Sequence, residues 1–406
     1  MLAEIPMLFI LVGLAAYTVL AGADFGAGFW TLFAGGGGAS PAETRDHARR
    51  AMGPVWEANH VWLIFVLVVC WTAYPVAYAS IVSTLAVPLF IAAVGIILRG
   101  VSYALRGQLE GTRERRRVEE VFALSSILTP FALGTVAGAI ASGRVPVGNA
   151  AGNLVTSWLN PTSIVIGFLA VATSSYLAAV YLAADARRFG ELALERDFRW
   201  RALGSGVAAG ALAVAGLVVV RVDARPIWDG LTSGWGLVML GVSAAAGIMT
   251  LFLVRRSRFE PARISAAVAV AAIVAGWAAA QRPIFLPGLT VRQAAADRSA
   301  LVAVVVAVAI GAVVLVPSLV LLFRLFLRGR LDAGPQEAVT TVVGRDTPNR
   351  PGFRLLLGSF AVACLIVGVG LMVITSPGPT FVVGVACLCG FAVSTFVLAT
   401  NAGTDA

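Results

Sequence analysis

The chain contains no lysine, and all 30 of its basic residues are arginine. Charged residues make up only 13% of the 406 positions, whereas an ordinary soluble domain has about 25%. Hydrophobic residues reach 59%, and the mean hydropathy is +0.89. This composition excludes an ordinary soluble domain, because the excess apolar surface has to face lipid. Backbone groups in lipid must be satisfied internally, so we expect an all-α, polytopic transmembrane helix bundle.

Long polar stretches are also missing, which bears on the net charge of +9. A basic protein can bind nucleic acid, but that partner requires a soluble basic face. Here the arginines form short clusters between apolar runs, as expected of loops that meet membrane lipid and its anionic headgroups. We therefore expect membrane lipid as a partner and no nucleic acid.

Histidine is scarce, with two residues in the chain. A respiratory haem usually needs one or two axial ligands, and these are often His. His47 lies in a polar segment beside Arg45 and Arg49, where we predict a solvated side chain. His60 alone is placed at an apolar run. One intramembrane histidine cannot serve several haems, so a redox function would have to rest mainly on another subunit.

Cysteine is scarce as well: Cys70, Cys364, Cys387 and Cys389 all lie in apolar runs. They form no C-x-x-C pair and no haem-attachment motif, so we interpret them as packing residues and predict no metal site. The start of the chain has no basic residue before its first apolar run, unlike a secretory signal peptide. We expect the first segment to stay as a membrane anchor.

Eleven apolar stretches approach the roughly 20 residues that a membrane-spanning helix needs. They lie near residues 7–32, 60–78, 80–98, 120–141, 162–184, 202–220, 234–254, 263–280, 301–323, 355–375 and 379–399. The second and third could form one tight hairpin around Tyr78 to Ser80, and the last two around Ser376 and Pro377. Nine spans is therefore the lower bound.

The arginines alternate between loops in a way that predicts orientation. Loops after spans one, three, five, seven and nine hold 24 of the 30, and the other side holds Arg144, Arg221, Arg225, Arg282, Arg292 and Arg298. Because Lys and Arg concentrate in cytoplasmic loops, we expect the N-terminus outside and the C-terminus in the cytoplasm. Residues 328–354 form a polar stretch broken by glycine and proline, which predicts a linker.

Asp24 is the first ionisable residue inside a predicted span. Burying an uncompensated charge in lipid costs about 2.5 to 3.5 kcal/mol even on a lenient scale. It stands in Ala21-Gly22-Ala23-Asp24-Phe25-Gly26-Ala27-Gly28, where three glycines allow close approach of another helix or a cofactor. Two interpretations stay open: a packing seam whose acid reaches a helix-end donor, and a functional acid.

A second polar group opens the second predicted span, where Glu57, Asn59 and His60 crowd beside Trp56 and Trp62. An acid in a first helical turn is favoured by the helix dipole, and tryptophans are common at the membrane interface. Those structural readings account for each residue separately. The density of polar side chains favours a functional cluster instead.

Arg99 and Arg106 stand seven residues apart, so about two helical turns place both guanidinium groups on one face. Arg99 lies nearer the apolar run and could neutralise Asp24 or Glu57, or hold a propionate. Arg106 fits a cytoplasmic anchor better. The spacing does not decide between these roles.

At these positions the chain resembles subunit II of cytochrome bd-type quinol oxidases. The most specific motif is Gly53-Pro54-Val55-Trp56-Glu57-Ala58-Asn59-His60-Val61-Trp62-Leu63-Ile64. Supporting motifs are Gly22 to Gly28, Tyr74-Pro75 with Tyr78, Leu98-Arg99-Gly100-Val101, Trp158-Leu159-Asn160-Pro161, and Arg282-Pro283-Ile284-Phe285-Leu286-Pro287 with Leu289-Thr290-Val291 and Ala294-Ala295-Ala296. The resemblance covers roughly residues 1 to 325.

The resemblance implies nine helices, arranged as two four-helix bundles plus one, within about eleven predicted here. It implies a heterodimer with a haem-bearing subunit I in a bacterial cytoplasmic (inner) membrane. Subunit I would carry haem b, haem d and the quinol site, and the complex would oxidise quinol and reduce dioxygen to water. This chain would be inactive alone, would support assembly and proton uptake, and could hold a bound quinone.

For individual residues, the resemblance implies that Glu57 and Asp24 belong to the proton path or its polar cluster. Contacts on the haem or quinone side are expected from Arg99, Asn59, Trp56, Trp62 and His60. Glu57 stands where the family often has Asp, and we do not expect His60 to ligate haem. The domains would be 1–326, resembling subunit II, a cytoplasmic linker at 327–354, and an extra C-terminal helical hairpin at 355–406.

Two other readings fit a polytopic bundle with intramembrane acids. A secondary transporter of a small solute shares the glycine-interrupted helices and would work without a haem partner. A purely structural assembly subunit would tolerate replacement of Glu57 without loss of oxygen consumption.

Overall fold

The computed structural model describes residues 2–35, 37–52, 55–105, 112–327 and 351–374, together with 380, 383–384, 386–391 and 393–394. A 3-10 turn at Leu2–Glu4 precedes the first helix. The helices of the first half are α1 Ile5–Leu32, α2 Pro41–Met52, α3 Val55–Ala73, α4 Pro75–Thr84, α5 Ala86–Leu105, α6 Thr112–Ala141 and α7 Pro161–Arg188. Those of the second half are α8 Leu192–Asp223, α9 Arg225–Leu231, α10 Gly234–Arg255, α11 Phe259–Gln281, α12 Val291–Ala294, α13 Arg298–Leu327 and α14 Pro351–Ile374.

The all-α fold class is confirmed. Within the described residues, seven helices are long and apolar enough to cross a membrane, namely α1, α5, α6, α7, α8, α10 and α11. Shorter apolar helical segments at Asn59–Ala73, Arg298–Val313 and Leu357–Gly368 match three further predicted spans. The last predicted span, 379–399, is described only in part.

The helices of the first 315 residues form two groups of four. Helices α1, α3, α5 and α6 pack together, and α7, α8, α10 and α11 form the second group. Helix α7 joins the groups, because it packs against α1 and α6 as well as α8. At the start of α7, the Asn160 side chain accepts a hydrogen bond from the Ser163 N–H at 2.9 Å, so the Trp158 to Pro161 motif is a helix cap.

The predicted boundary between the second and third spans was wrong. Residues 78–80 lie inside α4, and the chain instead breaks at Tyr74 and at Leu85. Pro75 explains the first break, since proline has no N–H and clashes with the preceding helical turn. The Tyr74 hydroxyl donates to the Ala3 carbonyl at 2.7 Å, which fixes the break against the start of the chain.

A small β-hairpin follows α11, with strand β1 at Ile284–Leu286 and β2 at Leu289–Thr290. The turn contains Gly288 at φ +77°, a conformation that suits glycine. Thr290 then caps α12 through a reciprocal capping box with Gln293. These residues belong to the last motif of the resemblance given above, so that motif forms a turn and a helix start.

The chain divides into two compact units, Met1–Leu315 and Val316–Ala406. Inside the second unit, Leu388 packs closely on Gly368, where an added methyl group would lie 2.8 Å from Leu388 Cγ. Helix α14 thus has a packing partner in the segment after it. The predicted linker falls largely on residues 328–350, which lie outside the described part, so the domain boundaries stay a prediction.

Candidate functional site

Asp24 and Arg99 form a buried ion pair between α1 and α5. Both residues are buried, since Asp24 is 6% exposed and Arg99 is 2% exposed. Arg99 Nη2 lies 2.6 Å from Asp24 Oδ1 and donates at 2.9 Å to the Asp24 carbonyl. Of the partners that the sequence left open for Arg99, the structure brings Asp24 into contact.

The guanidinium group of Arg99 is held on three further sides. Its Nη1 donates to the Ser126 hydroxyl of α6. The Arg99 Cζ lies 5.0 Å from the centroid of the Phe25 ring and 4.4 Å from that of Phe122. These cation–π contacts and hydrogen bonds replace the water that the cation loses on burial.

The glycines beside Asp24 allow this packing. A methyl group at Gly28 would lie 2.8 Å from Arg99 Nη1 and would collide with the Ser126 side chain. A methyl group at Gly26 would collide with the Ser174 carbonyl of α7. The motif therefore places α1 against α5, α6 and α7 at the depth of the ion pair.

Helix α3 adds Asn59, His60 and Trp62 to the same region. Asn59 is 1% exposed, and its Nδ2 donates to the Leu20 carbonyl of α1 at 3.3 Å. The His60 ring centroid lies 6.2 Å from that of Tyr17 and 6.1 Å from that of Phe25, both edge-on. Trp62 packs against the Tyr17 and Phe25 cluster.

Glu57 and Trp56 lie in the first turn of α3, but their side chains fall outside the described part of the chain. Arg106 falls outside it as well. Five of the seven predicted site residues are thus brought to the α1, α3 and α5 contact, and the placement of the other two side chains stays a prediction.

Sequence reasoning missed Ser126, Phe122 and Tyr17. Ser126 and Phe122 are one helical turn apart on α6 and meet Arg99 from one side. The consecutive hydroxyls of Ser125 and Ser126 inside an apolar run were a signal for a buried polar contact. Tyr17 is two turns before Asp24 on α1, a spacing that places both on one face.

The prediction of a solvated His47 was wrong, because the residue is 1% exposed. Its Nε2 lies 2.9 Å from the Leu182 carbonyl, and its Nδ1 lies 2.8 Å from Glu191 Oε2. The Phe198 ring packs on it with centroids 5.7 Å apart. Helix α2, which sequence reasoning read as a loop, turns this histidine inward against α7 and α8.

Arginine-rich loops meet at one end of the helices. Arg50 Nη2 pairs with Glu191 Oε1 at 2.5 Å, which joins α2 to the turn after α7. Arg199 Nη2 donates to the Arg255 carbonyl at 2.8 Å, which joins α8 to the end of α10. The loops after the first, fifth and seventh predicted spans are therefore neighbours.

The arginines of the alternate loops form separate ion pairs. Arg144 binds both carboxylate oxygens of Asp223, at 2.7 and 2.8 Å, and hydrogen bonding to that carboxylate raises the pKa of Arg144. Asp223 also accepts a hydrogen bond from the Thr162 hydroxyl at 2.6 Å. Near the N-terminus, Arg282 and Arg292 pair with Glu4 at 3.2 and 2.9 Å.

Metal-binding side chains do not gather in the described residues, which contain no group of three or more His, Cys, Asp or Glu placed to hold an ion. The four cysteines are free thiols. These observations concern the described ranges only.

Residues 2–326 match the family model described as cytochrome bd terminal oxidase subunit II. Cytochrome bd ubiquinol oxidase subunit 2 of Bacillus subtilis is 31% identical over 134 residues, which are 32% of this chain and 37% of that protein. Cytochrome bd-I ubiquinol oxidase subunit 2 of Escherichia coli K12 is 29% identical over 192 residues, covering 45% of this chain and 48% of that protein. The chain thus spans less than half the length of these two curated relatives in the matched regions.

The fold is also similar to a solved structure. A chain from the structure of bd oxidase from Geobacillus thermodenitrificans superposes with a TM-score of 0.67 at 26% sequence identity. The match covers 80% of this chain and 98% of that chain. With the family model spanning residues 2–326, this protein belongs to the cytochrome bd terminal oxidase subunit II family.

Proposed function

We propose that this chain is the subunit II partner in a complex that oxidises quinol and reduces dioxygen to water. The observation that carries the proposal is the buried Asp24–Arg99 pair inside the family-matched region. A buried pair with hydrogen bonds on both members is expensive to desolvate, so its presence favours a role beyond filling space. The chain itself would be inactive without a haem-bearing subunit I.

The haems are assigned by this proposal to the partner. His47 faces protein acceptors with both ring nitrogens, so it does not fit an axial ligand. His60 packs edge-on against the rings of Tyr17 and Phe25, so its imidazole belongs to this aromatic contact. Haem b and haem d, when bound in the complex, would supply the electron transfer and oxygen chemistry, and no step of it is placed on this chain.

This chain would contribute to proton uptake and to assembly. Glu57, in the first turn of α3, would exchange protons with the cytoplasm, and Asp24 would provide a second carboxylate deeper in the bundle. Arg99 contacts Asp24 directly and places a positive charge beside that carboxylate. Asn59, His60, Trp56 and Trp62 would complete the surface towards a haem or a bound quinone.

The proposed orientation puts the N-terminus outside and the C-terminus in the cytoplasm of a bacterium with this complex in its inner membrane. The neighbouring arginine-rich loops around α2, α8 and α10 support it, since such loops concentrate on the cytoplasmic side. Glu57 would then lie near the cytoplasmic surface, where protons are taken up.

The test is a detergent pull-down of the tagged chain from its native membrane, with a reduced-minus-oxidised visible spectrum of the eluate. We expect haem b and haem d bands from a co-purifying partner, together with quinol-dependent oxygen consumption. A colourless protein that purifies without a partner would contradict the proposal. The matched control is the same tag on an unrelated polytopic protein of that membrane.

A further inference from the structure

Two buried oxygen atoms beside the ion pair lack a donor. Arg99 binds Oδ1 of Asp24, whereas Oδ2 of Asp24 has no hydrogen-bond partner in the described part of the chain. Oδ1 of Asn59 is also buried and, within the same described residues, without a partner. A buried polar atom is nearly always hydrogen-bonded, so each of these oxygens calls for an explanation.

The two side chains belong to one neighbourhood. Asn59 Nδ2 donates to the Leu20 carbonyl at 3.3 Å. In the continuous helix α1, that same carbonyl accepts the backbone N–H of Asp24, four residues later. The Asn59 amide therefore lies at the helical turn that carries Asp24. Because its nitrogen faces a carbonyl acceptor, the amide oxygen has to be the atom left over.

The chemistry of these oxygens defines what fits between α1 and α3. A carboxylate oxygen and an amide oxygen are both acceptors, so they cannot satisfy one another. They require a donor with two hydrogens, and a buried water molecule supplies two. The adjacent Arg99 cation already balances the charge of Asp24, which disfavours a metal ion at the same place.

A third polar atom completes the environment. The Tyr17 hydroxyl is buried and, among the described residues, has no hydrogen-bond partner. Tyr17 stands two turns before Asp24 on the same face of α1, and its ring contacts His60, which follows Asn59 in α3. Buried waters typically make about three hydrogen bonds to groups of this kind.

We propose that Asp24 Oδ2 and Asn59 Oδ1 hold an ordered water between α1 and α3, and that the Tyr17 hydroxyl belongs to the same hydration site. Asn59 is a positioning residue in this arrangement, since it fixes the water against the carboxylate. The Asp24–Arg99 pair is then hydrated on one side, and Asp24 keeps a bonded neighbour on each oxygen. The site does not depend on the oxidase function proposed above.

The first experiment compares Tyr17→Phe with the parent in the purified complex, by the apparent thermal midpoint at a fixed heating rate. If the hydroxyl binds water, its removal lowers the midpoint. The matched control is Tyr74→Phe, which removes a buried hydroxyl with a visible 2.7 Å bond to the Ala3 carbonyl and sets the size of the shift. An unchanged or higher midpoint for Tyr17→Phe would overturn the site, since deleting a dry, unpaired hydroxyl costs nothing.

The second experiment is a high-resolution cryo-EM or crystallographic map of the complex. We expect a water peak about 2.8 Å from both oxygen atoms, within ordinary hydrogen-bond range. The peak should disappear in Asn59→Leu while the fold is kept. An empty space, or direct contact between the Asp24 and Asn59 side chains, would overturn the proposal. Neither map outcome depends on whether the chain supports quinol oxidation.

Discussion

Arg99 connects α1, α5 and α6, because it binds Asp24, donates to Ser126 and lies against the rings of Phe25 and Phe122. Its removal would leave the buried Asp24 carboxylate without this counter-charge. Breaking one member of a buried pair is typically more damaging than replacing both. We therefore expect a single substitution at Arg99 to destabilise the protein more than a joint substitution of Asp24 and Arg99.

We expect Arg99→Ala to destabilise the protein by about 3 to 5 kcal/mol, the usual cost of leaving a buried charge uncompensated. The measurement is complex yield and haem content per mole of protein, with the thermal midpoint alongside. Arg116→Ala is the control, since Arg116 makes an exposed pair with Glu120, and such pairs contribute about 0 to 1 kcal/mol. Normal yield and normal haem spectra for Arg99→Ala would show that Arg99 does not stabilise the complex.

The double variant Asp24→Asn with Arg99→Gln sharpens that result. Two neutral polar side chains leave no isolated charge, so we expect more haem-loaded complex than for Arg99→Ala alone. Purified yield and the haem-to-protein ratio decide it. If the loss of haem-loaded complex in the double variant equals the sum of the losses in its two single variants, the two residues act separately.

Glu57→Gln tests the proposed proton path without removing bulk. We expect lower oxygen-consumption turnover with haem content near normal, because the amide cannot exchange the proton that a carboxyl group exchanges. Glu57→Asp should retain more turnover, since it keeps the acid. Turnover equal to the parent in Glu57→Gln would favour the reading of this chain as a purely structural assembly subunit.

At the scale of elements, α1 approaches α7 at Gly26, where a methyl group would collide with the Ser174 carbonyl. The contact joins the two four-helix groups, so the residue type at this position sets the distance between them. Gly210 of α8 has no such role, because nothing lies within 4 Å of the position that a methyl group would take there.

We therefore expect Gly26→Val to lower the thermal midpoint and the yield of the complex, because the larger side chain forces α1 and α7 apart. Overpacking of this kind typically destabilises a protein by about 1–3 kcal/mol. Gly210→Ala should be neutral or slightly stabilising, because alanine favours a helix over glycine by about 1 kcal/mol. Differential scanning fluorimetry of both variants measures the difference. Equal behaviour of the two would contradict the close approach.

Some elements were accessible to sequence reasoning and others were not. Long apolar helices could be predicted because composition and length alone define them, and Asp24 stood out as an acid among glycines. His47 was misread because its acceptors, Leu182 and Glu191, are 135 and 144 residues away along the chain. Ser125 and Ser126 signalled a buried polar contact, but the sequence did not name Arg99 as the partner, since a serine in an apolar run commonly bonds its own helix.

At the scale of the whole molecule, the family match ends at residue 326, and the second compact unit begins at Val316. We expect a chain that stops after residue 350 to assemble with the haem-bearing partner, since the residues that resemble the family are all retained. Co-purified haem measures this. A chain that stops at residue 297 serves as the control, because it lacks Leu301 and Val304, which are buried in the core with Tyr74.

The pairing of Glu4 with Arg282 and Arg292 has a consequence for synthesis. The start of the chain is bound to residues that leave the ribosome nearly 300 positions later, and the Ala73 carbonyl likewise waits for the Ala296 N–H. The first helix is therefore synthesised long before its N-terminal end acquires these partners. These contacts of the first unit therefore form late in translation, only after the β-hairpin has emerged.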